Sequence, residues 1–534
     1  GAAYFFRPIG GPLPMMTLAK IRDYAPGTEE ADFRILRDAG INGDGEAIFC
    51  GQLIGPGSGG GRDKGIWQTL EGTVDLAVKS RDDLSALGPE FIGARSTNLY
   101  LPVMNASNRG IFQSRMAGAG VNGTNNLVLL QYHEGLGVSP LLRTGTDIPE
   151  LDQGSGPARL QVFREVIQTG NFDNVSVSYV LRKGIGGVNA GNDTGILSVT
   201  SAGAVSDVSV REGESDGSGG TLRQLFGRAA AGRSSYVNFG GFHVPGGESR
   251  AVQGLFYDRV ANSTKGVSAT AQTPVPDAVD TEFFRAFAGE TNDTDGYAIY
   301  RAMLAGPGAA GANEGLWDEE GASTLYRRGS GIGFGPDPNG GSTVDALRQV
   351  EEGVVVNRIL KFWPVGSDGS IALVKLRGRG VTAANDCALF FHDATQDVYL
   401  RLMREGDPVS DWDCPKIRAI QRVDVHPVDG RYVIVAALTG SPTRNQALFT
   451  GQARFGLMTT QSALRLPHLK LRKGTLFDSG YSQATTLRSI VLRESTDRTG
   501  AGGKGLSHSI NNHGDVITCL QFDNRAKQLV VGRP

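Results

Sequence analysis

The sequence has 534 residues, of which 40% are hydrophobic and 20% charged, and a formal net charge of −2. That balance supports a sizeable core and excludes general disorder; it also excludes a broad electrostatic grip on nucleic acid or an anionic membrane. No apolar run approaches the ~18 residues of a membrane span, the longest being YVIVAAL (432–438), so direct membrane insertion is not expected.

In chain order, an N-terminal strand around MMTLAKIRD (15–23) precedes the first full unit. That unit opens with a less regular strand, ADFRIL (31–36), turns through an x-Gly pair into NGDGEAIFCGQL (42–53), and crosses a glycine-rich loop to the triplet GIW (65–67). The small-aliphatic-bulky triplet returns as LVL (127–129), GIL (195–197), GLF (254–256), GLW (315–317), ALF (388–390) and ALF (447–449), at intervals of 62, 68, 59, 61, 73 and 59 residues. Upstream of most copies stands a turn and an apolar strand, as in SNRGIFQSRM (107–116), DTDGYAIYRAML (293–304) and PVDGRYVIVAAL (427–438), where the turn pair supplies the positive φ of a tight hairpin. VSVSYVL (175–181) alternates most plainly and predicts one inward and one outward face. Downstream comes a strand that ends in a basic-acidic-glycine loop, as in VSVREGE (208–214), LYRRGSG (325–331) and LRLMREGDP (400–408). The eighth copy, INNHGDVITCLQF (510–522) with KQLVVG (527–532), has lost its triplet.

Four short strands per unit, with no sustained helical period, predict an antiparallel meander that cannot cover both of its faces alone. Radial stacking covers them. The expected fold is an all-β, eight-bladed β-propeller in one domain (1–534), closed between the N- and C-terminal strands, with approximate blades 15–79, 80–142, 143–210, 211–270, 271–328, 329–403, 404–466 and 467–534. The unbroken period disfavours a series of β-sandwiches.

The combination of L-x-x-x-R-E-G-D-P, N-x-x-G-x-hydrophobic-x-F and G-V-x-x-x-N-D-x-G-L-W resembles a repeat of secreted, largely uncharacterised bacterial proteins, common in planctomycetes, whose best copies read REGDPAPG. MREGDPV (403–409), IRDYAPGT (21–28) and VREGESDGSGG (210–220) carry the signature, while TAQTPVP (270–276) stands where one copy belongs. The resemblance implies an exported, propeller-like protein and no particular reaction.

Two loop classes recur and are expected to share a face. The glycine-rich class includes GVNAGND (187–193) and GVTAAND (380–386), either backbone amides offered to a ligand or hairpin links whose Asn and Asp satisfy their own backbone. The charged class comprises Arg22 and Asp23, Arg81 with Asp82 and Asp83, Arg211 with Glu212 and Glu214, and Arg404 with Glu405 and Asp407. These side chains are candidates for binding a charged sugar or cation around a channel mouth; the structural alternative is that they tie blades together or cap turns. NGDGE (42–46) and TNDTDGY (291–297) are rich in oxygen, but Gly40 stands where a calcium loop needs its first aspartate, so hairpin turns are expected.

The seven histidines show no metal-binding spacing, GRSSY (232–236) lacks the frame of a nucleophile elbow, and GIGFGPDPNGG (331–341) reads as a long loop. Cys50, Cys387, Cys414 and Cys519 lack metal spacing and read as free thiols, with Cys387 and Cys414 the one pair to test for a disulfide. The resulting expectation is a non-catalytic exported module, without a cofactor, that holds a protein or glycan partner at its loop face or assembles with itself. A carbohydrate-active hydrolase with central carboxylates and a structural subunit of a surface layer or filament are the alternatives.

Overall fold

A computed structural model describes residues 4–8, 15–56, 58–60, 63–133, 135–168, 174–231, 236–259, 264–276, 282–319, 323–331, 353–367, 369–394, 398–453, 465–478 and 484–534. Most of GIGFGPDPNGG and of GRSSY falls outside them. The described chain is all-β and forms eight sheets of four antiparallel strands, the arrangement of a β-propeller, with short extra strands on two of them. Seven blades span 32–79, 94–143, 158–211, 221–270, 283–327, 354–404 and 417–472. The eighth takes three strands from 485–532, and its fourth is Met15–Lys20, which pairs with Lys527–Gly532 in the register Thr17↔Val530. The two ends of the chain therefore meet in one sheet.

The chain divides into two compact units. Gly1–Glu212, Lys473–Arg493 and Ser507–Pro534 form the first; Gly213–Arg472 and Glu494–Leu506 form the second. In the first unit, apolar clusters lie between blades 8 and 1, 1 and 2, and 2 and 3. In the second they lie between blades 4 and 5, 5 and 6, and 6 and 7. Each fully buried Leu, Ile or Phe contributes roughly 1.5–3 kcal/mol, against about 0–1 kcal/mol for an exposed ion pair. Apolar packing is thus the main cohesion between neighbouring blades within each unit.

The recurring triplets all fall in third strands, and their bulky members Trp67, Leu129, Leu197, Phe256, Trp317, Phe390 and Phe449 are buried. Where the triplet opens on glycine, at Gly65, Gly195, Gly254 and Gly315, space dictates it. A Cβ on Gly195 would stand 2.2 Å from Tyr179 Oη and 2.4 Å from the Val210 carbonyl. VSVSYVL departs from its expected inside-outside alternation, since all seven residues are buried. Both faces of a blade are covered, and Ser176 meets this by bonding across the sheet to Ser198 Oγ at 3.3 Å.

The irregular opening strands also have a physical cause. In blades 1 to 7 the pairing of first with second strand shifts register twice, as at Val356/Arg358 and Ile359/Lys361. Such bulges break the two-residue period and increase strand twist.

One feature had no sequence expectation. Blade 8 joins its first strand, Thr485–Val491, to its second, Val516–Phe522, by a strap over 492–515. In the second unit this strap lies on opening strands: Gly502 N–H donates to the Phe362 carbonyl (2.8 Å), Ser495 N–H to Asp424 Oδ1 (3.0 Å), and Thr291 Oγ1 to the Gly502 carbonyl (2.6 Å). In the first unit Ile41 N–H donates to the His508 carbonyl (2.9 Å) and Met104 N–H to Ser507 Oγ (3.0 Å). The segment TGAGGKG (499–505) within it was the available signal, a glycine cluster where other blades have a tight turn.

Candidate functional site

The loops from second to third strands and the links from fourth strands to the next blade leave the same end of the sheets, as antiparallel meanders require. An equivalent position in every link has positive φ, namely Arg22, Arg81, Gly145, Gly213, Gln272, Gly329, Gly406 and Gly474, with φ between 71° and 100°. Each of these N–H groups donates to the carbonyl of a residue opening the next sheet (Phe33, Ser96, Leu160, Leu222, Phe284, Val356, Ile417 and Leu487) at 2.6–2.8 Å. The N–H of that residue returns a bond at 2.8–3.1 Å to the carbonyl after the positive-φ position.

This frame shows that the four arginines of the charged class occupy two different positions. Arg22 and Arg81 hold the positive-φ place that glycine takes at five of the other six links and Gln272 at the sixth. Arg211 and Arg404 stand two residues earlier, at the end of the fourth strand, and are almost fully buried. Their Nε groups donate to the carbonyls of Asn192 (2.8 Å) and Asn385 (2.7 Å) in the glycine-rich loop of the same blade. Arg143 to Asn125, Arg327 to Ala312 and Arg472 to Arg444 repeat the contact. GVNAGND and GVTAAND are the receiving halves of this bond. In each, the last asparagine caps its own loop: Asn192 Oδ1 accepts from Asn189 N–H and Asn385 Oδ1 from Thr382 N–H.

The remaining candidates lie around the same turns. Asp407 Oδ2 accepts from Arg404 N–H at 2.8 Å. Asp23 pairs with Lys20 at 3.2 Å. Asp83 accepts from the Ser85 N–H and hydroxyl, which hold its carboxyl below the usual range. Glu212 and Glu405 are buried, and burial pushes the Glu405 carboxyl up. Arg22 and Asp23 present their side chains to solvent, and Arg81, also largely exposed, reaches Asp63 at 3.3 Å and the Gly59 carbonyl at 3.1 Å. The structure thus brings each group together within its own link.

The oxygen-rich turns are closed by their own amides. Asn42 Oδ1 accepts from Asp44 and Glu46 N–H, and Asp293 Oδ1 from Asp295, Gly296 and Tyr297 N–H.

Sequence reasoning missed the most exposed aromatic among the described residues at this end. Trp412 is 76% exposed, whereas Trp67, Trp317 and Trp363 are at 0%. It lies in the link after blade 6, with the Arg444 guanidinium 4.9 Å from its ring centroid. Asp411 and Asp413 on either side bind Arg472, the former at 2.5 Å, and lie 3.7 and 3.9 Å from Arg444. Arg472 holds the Asp413 carboxyl below its ordinary range. The indole is therefore carried by a braced loop. Other exposed apolar side chains share this end of the strands: Tyr24, Ile54 and Ile92 in the first unit and Phe283 in the second. The signal in sequence was a tryptophan inside the polar stretch SDWDCP (410–415).

A family model described as a family of unknown function (DUF7453) matches residues 5–160. No curated protein matches the chain. Among solved structures it is similar to a puromycin hydrolase (13% identity, TM-score 0.35), covering 91% of this chain and 58% of that one. It is also similar to the tricorn protease (11%, TM-score 0.31; 91% and 44% covered) and to a Penicillium chrysogenum alpha-L-arabinanase complexed with arabinobiose (10%, TM-score 0.27; 72% and 99%). The chain spans about half the length of the first two. At such identities none of them lends its activity to this chain.

Proposed function

We propose that the chain is an exported, non-catalytic binding module whose partner, a glycan, seats on the end of the blades where the glycine-rich loops and the inter-blade links meet. Trp412 carries this reading. A large amphipathic ring left in water, on a loop fixed by two aspartates and two arginines, loses little conformational freedom when a partner docks. Arg444 lies over one face of the indole, and the other suits the apolar face of a pyranose. Positive-φ links and capped loops keep the surrounding surface rigid, which again favours binding over rearrangement.

Iodide quenching tests the reading directly, because Trp412 is the exposed one of four tryptophans. A binding glycan from a defined panel should protect it from quenching and raise the urea midpoint by mass action. Trp412→Ala should abolish binding at an unchanged midpoint without ligand. A panel in which no glycan protects the indole, or a variant that binds as tightly as the parent, rules the reading out.

A further inference from the structure

The second unit carries a cleft of about 370 Å3 whose walls include Arg301, Met303, Glu314, Arg328, Asn357 and Arg358. Arg301 and Met303 come from the second strand of blade 5 (Ala298–Ala305), Glu314 opens its third (Glu314–Asp318), and Arg328 follows its fourth (Ser323–Arg327). Asn357 and Arg358 belong to the first strand of blade 6 (Val354–Val365). The cleft is therefore built where the loops of blade 5 meet the edge of blade 6.

Among the described residues, three guanidinium groups here face one carboxylate. Arg301 is committed to the fold: its Nη1 donates to the Ile359 carbonyl at 3.0 Å, and its Nε lies 4.0 Å from Glu314. Arg328 is only half committed. Its Nη1 donates to Asn313 Oδ1 at 2.9 Å, while its Nε is buried without an acceptor among the described residues. Arg358 is exposed and makes no hydrogen bond or close ion pair among the described residues, although its charge reaches Glu314. A buried donor without a partner destabilises the cleft, and adjoining like charges repel. An oxyanion placed between Arg328 and Arg358 offsets that repulsion, because guanidinium donors match carboxylate and phosphate oxygens. Glu314 and Asn357 add acceptors suited to hydroxyl groups, and Met303 adds an apolar wall. The volume falls at the low end of the ~300–1,000 Å3 of small-ligand sites, so one ring fits better than a chain.

We propose that this cleft binds a small polyhydroxylated anion, an acidic sugar or a sugar phosphate, with its oxyanion held by Arg328 and Arg358 and a hydroxyl donated to Glu314. The residues are distinct from those around Trp412, and the two sites succeed or fail separately.

Titration calorimetry on the full chain tests this with glucuronate, glucose 6-phosphate, inorganic phosphate and glucose. Glucuronate, glucose 6-phosphate or both bind, less tightly as salt rises; the tighter of the two identifies a carboxylate or a phosphate as the native group. Glucose gives no heat, and inorganic phosphate binds more weakly because it leaves the hydroxyl acceptors unused. Arg358→Ala weakens binding at least about tenfold at a urea midpoint close to the parent's, since its attraction to Glu314 and its repulsion by the neighbouring arginines are lost together, and Arg358→Lys recovers part of the affinity. No heat from any anion at about 10 mM, inorganic phosphate binding as tightly as either sugar, or unaltered affinity in Arg358→Ala overturns the proposal.

Discussion

Arg404 Nε donates to the Asn385 carbonyl at 2.7 Å, and Arg211 does the same to Asn192 at 2.8 Å, so the end of a fourth strand clamps the loop that precedes the third. Arg211 also donates to the Leu151 carbonyl at 2.8 Å. Both arginines are almost fully buried, which places these bonds where water cannot replace them. Arg211→Ala should lower the unfolding free energy by about 3 kcal/mol, and Arg211→Lys should recover only part because one ammonium cannot reproduce the planar fork. Urea unfolding of the three proteins checks this; midpoints within error of one another would show that the clamp is idle.

The shared link geometry makes opposite predictions for two of its members. Gly406 has φ 91°, and replacing it with valine should cost about 2 kcal/mol, since a branched side chain opposes a left-handed backbone. Gln272 holds the same place with φ 100°, so Gln272→Gly relieves strain and should leave the midpoint equal or slightly raised. A fall of comparable size in both variants would contradict the geometry.

Asp293 should make stability depend on pH. Burial, reinforced by the charge of Asp318, pushes its carboxyl from 3.8 up to about 8, against the three backbone N–H bonds that its Oδ1 accepts. The folded chain then holds a proton that the unfolded chain releases, so the contribution is complete below pH about 4 and is lost as pH rises through about 8, at a slope of at most about 1.4 kcal/mol per unit. Asn42, Asn105 and Asn511 fill the equivalent turn position with an amide. Asp293→Asn should accordingly match the parent near pH 4 and exceed its stability at pH 8.5. Parallel urea midpoints across that range would refute the assignment.

Thiol reactivity should single out Cys414. Burial raises the thiols of Cys50 and Cys519 to about 11 and that of Cys387 to about 12, whereas Cys414 is exposed and all four are free. A chromogenic disulfide reagent should label one cysteine quickly in the native protein and four in urea. Recovery of only two reactive thiols after unfolding would instead indicate a disulfide.

The amino-acid pattern alone determined that this chain is a repeat of four-stranded antiparallel units closed by its own ends. The triplets, the turn pairs and the near-constant interval are local signals, and a blade is a local structure of adjacent strands. The two halves of the Arg-Asn clamp were visible as separate motifs, but their meeting was not, because Arg404 and Asn385 come together only when a sheet folds back on itself. Tertiary structure alone separated Arg22 and Arg81 from Arg211 and Arg404, since that distinction lies in backbone φ rather than in side-chain type. It alone, too, exposed Trp412 while burying the other three tryptophans, and gathered Arg301, Arg328 and Arg358 around one cleft. Exposure and convergence depend on what surrounds a residue in space, and neighbours in sequence carry little record of that.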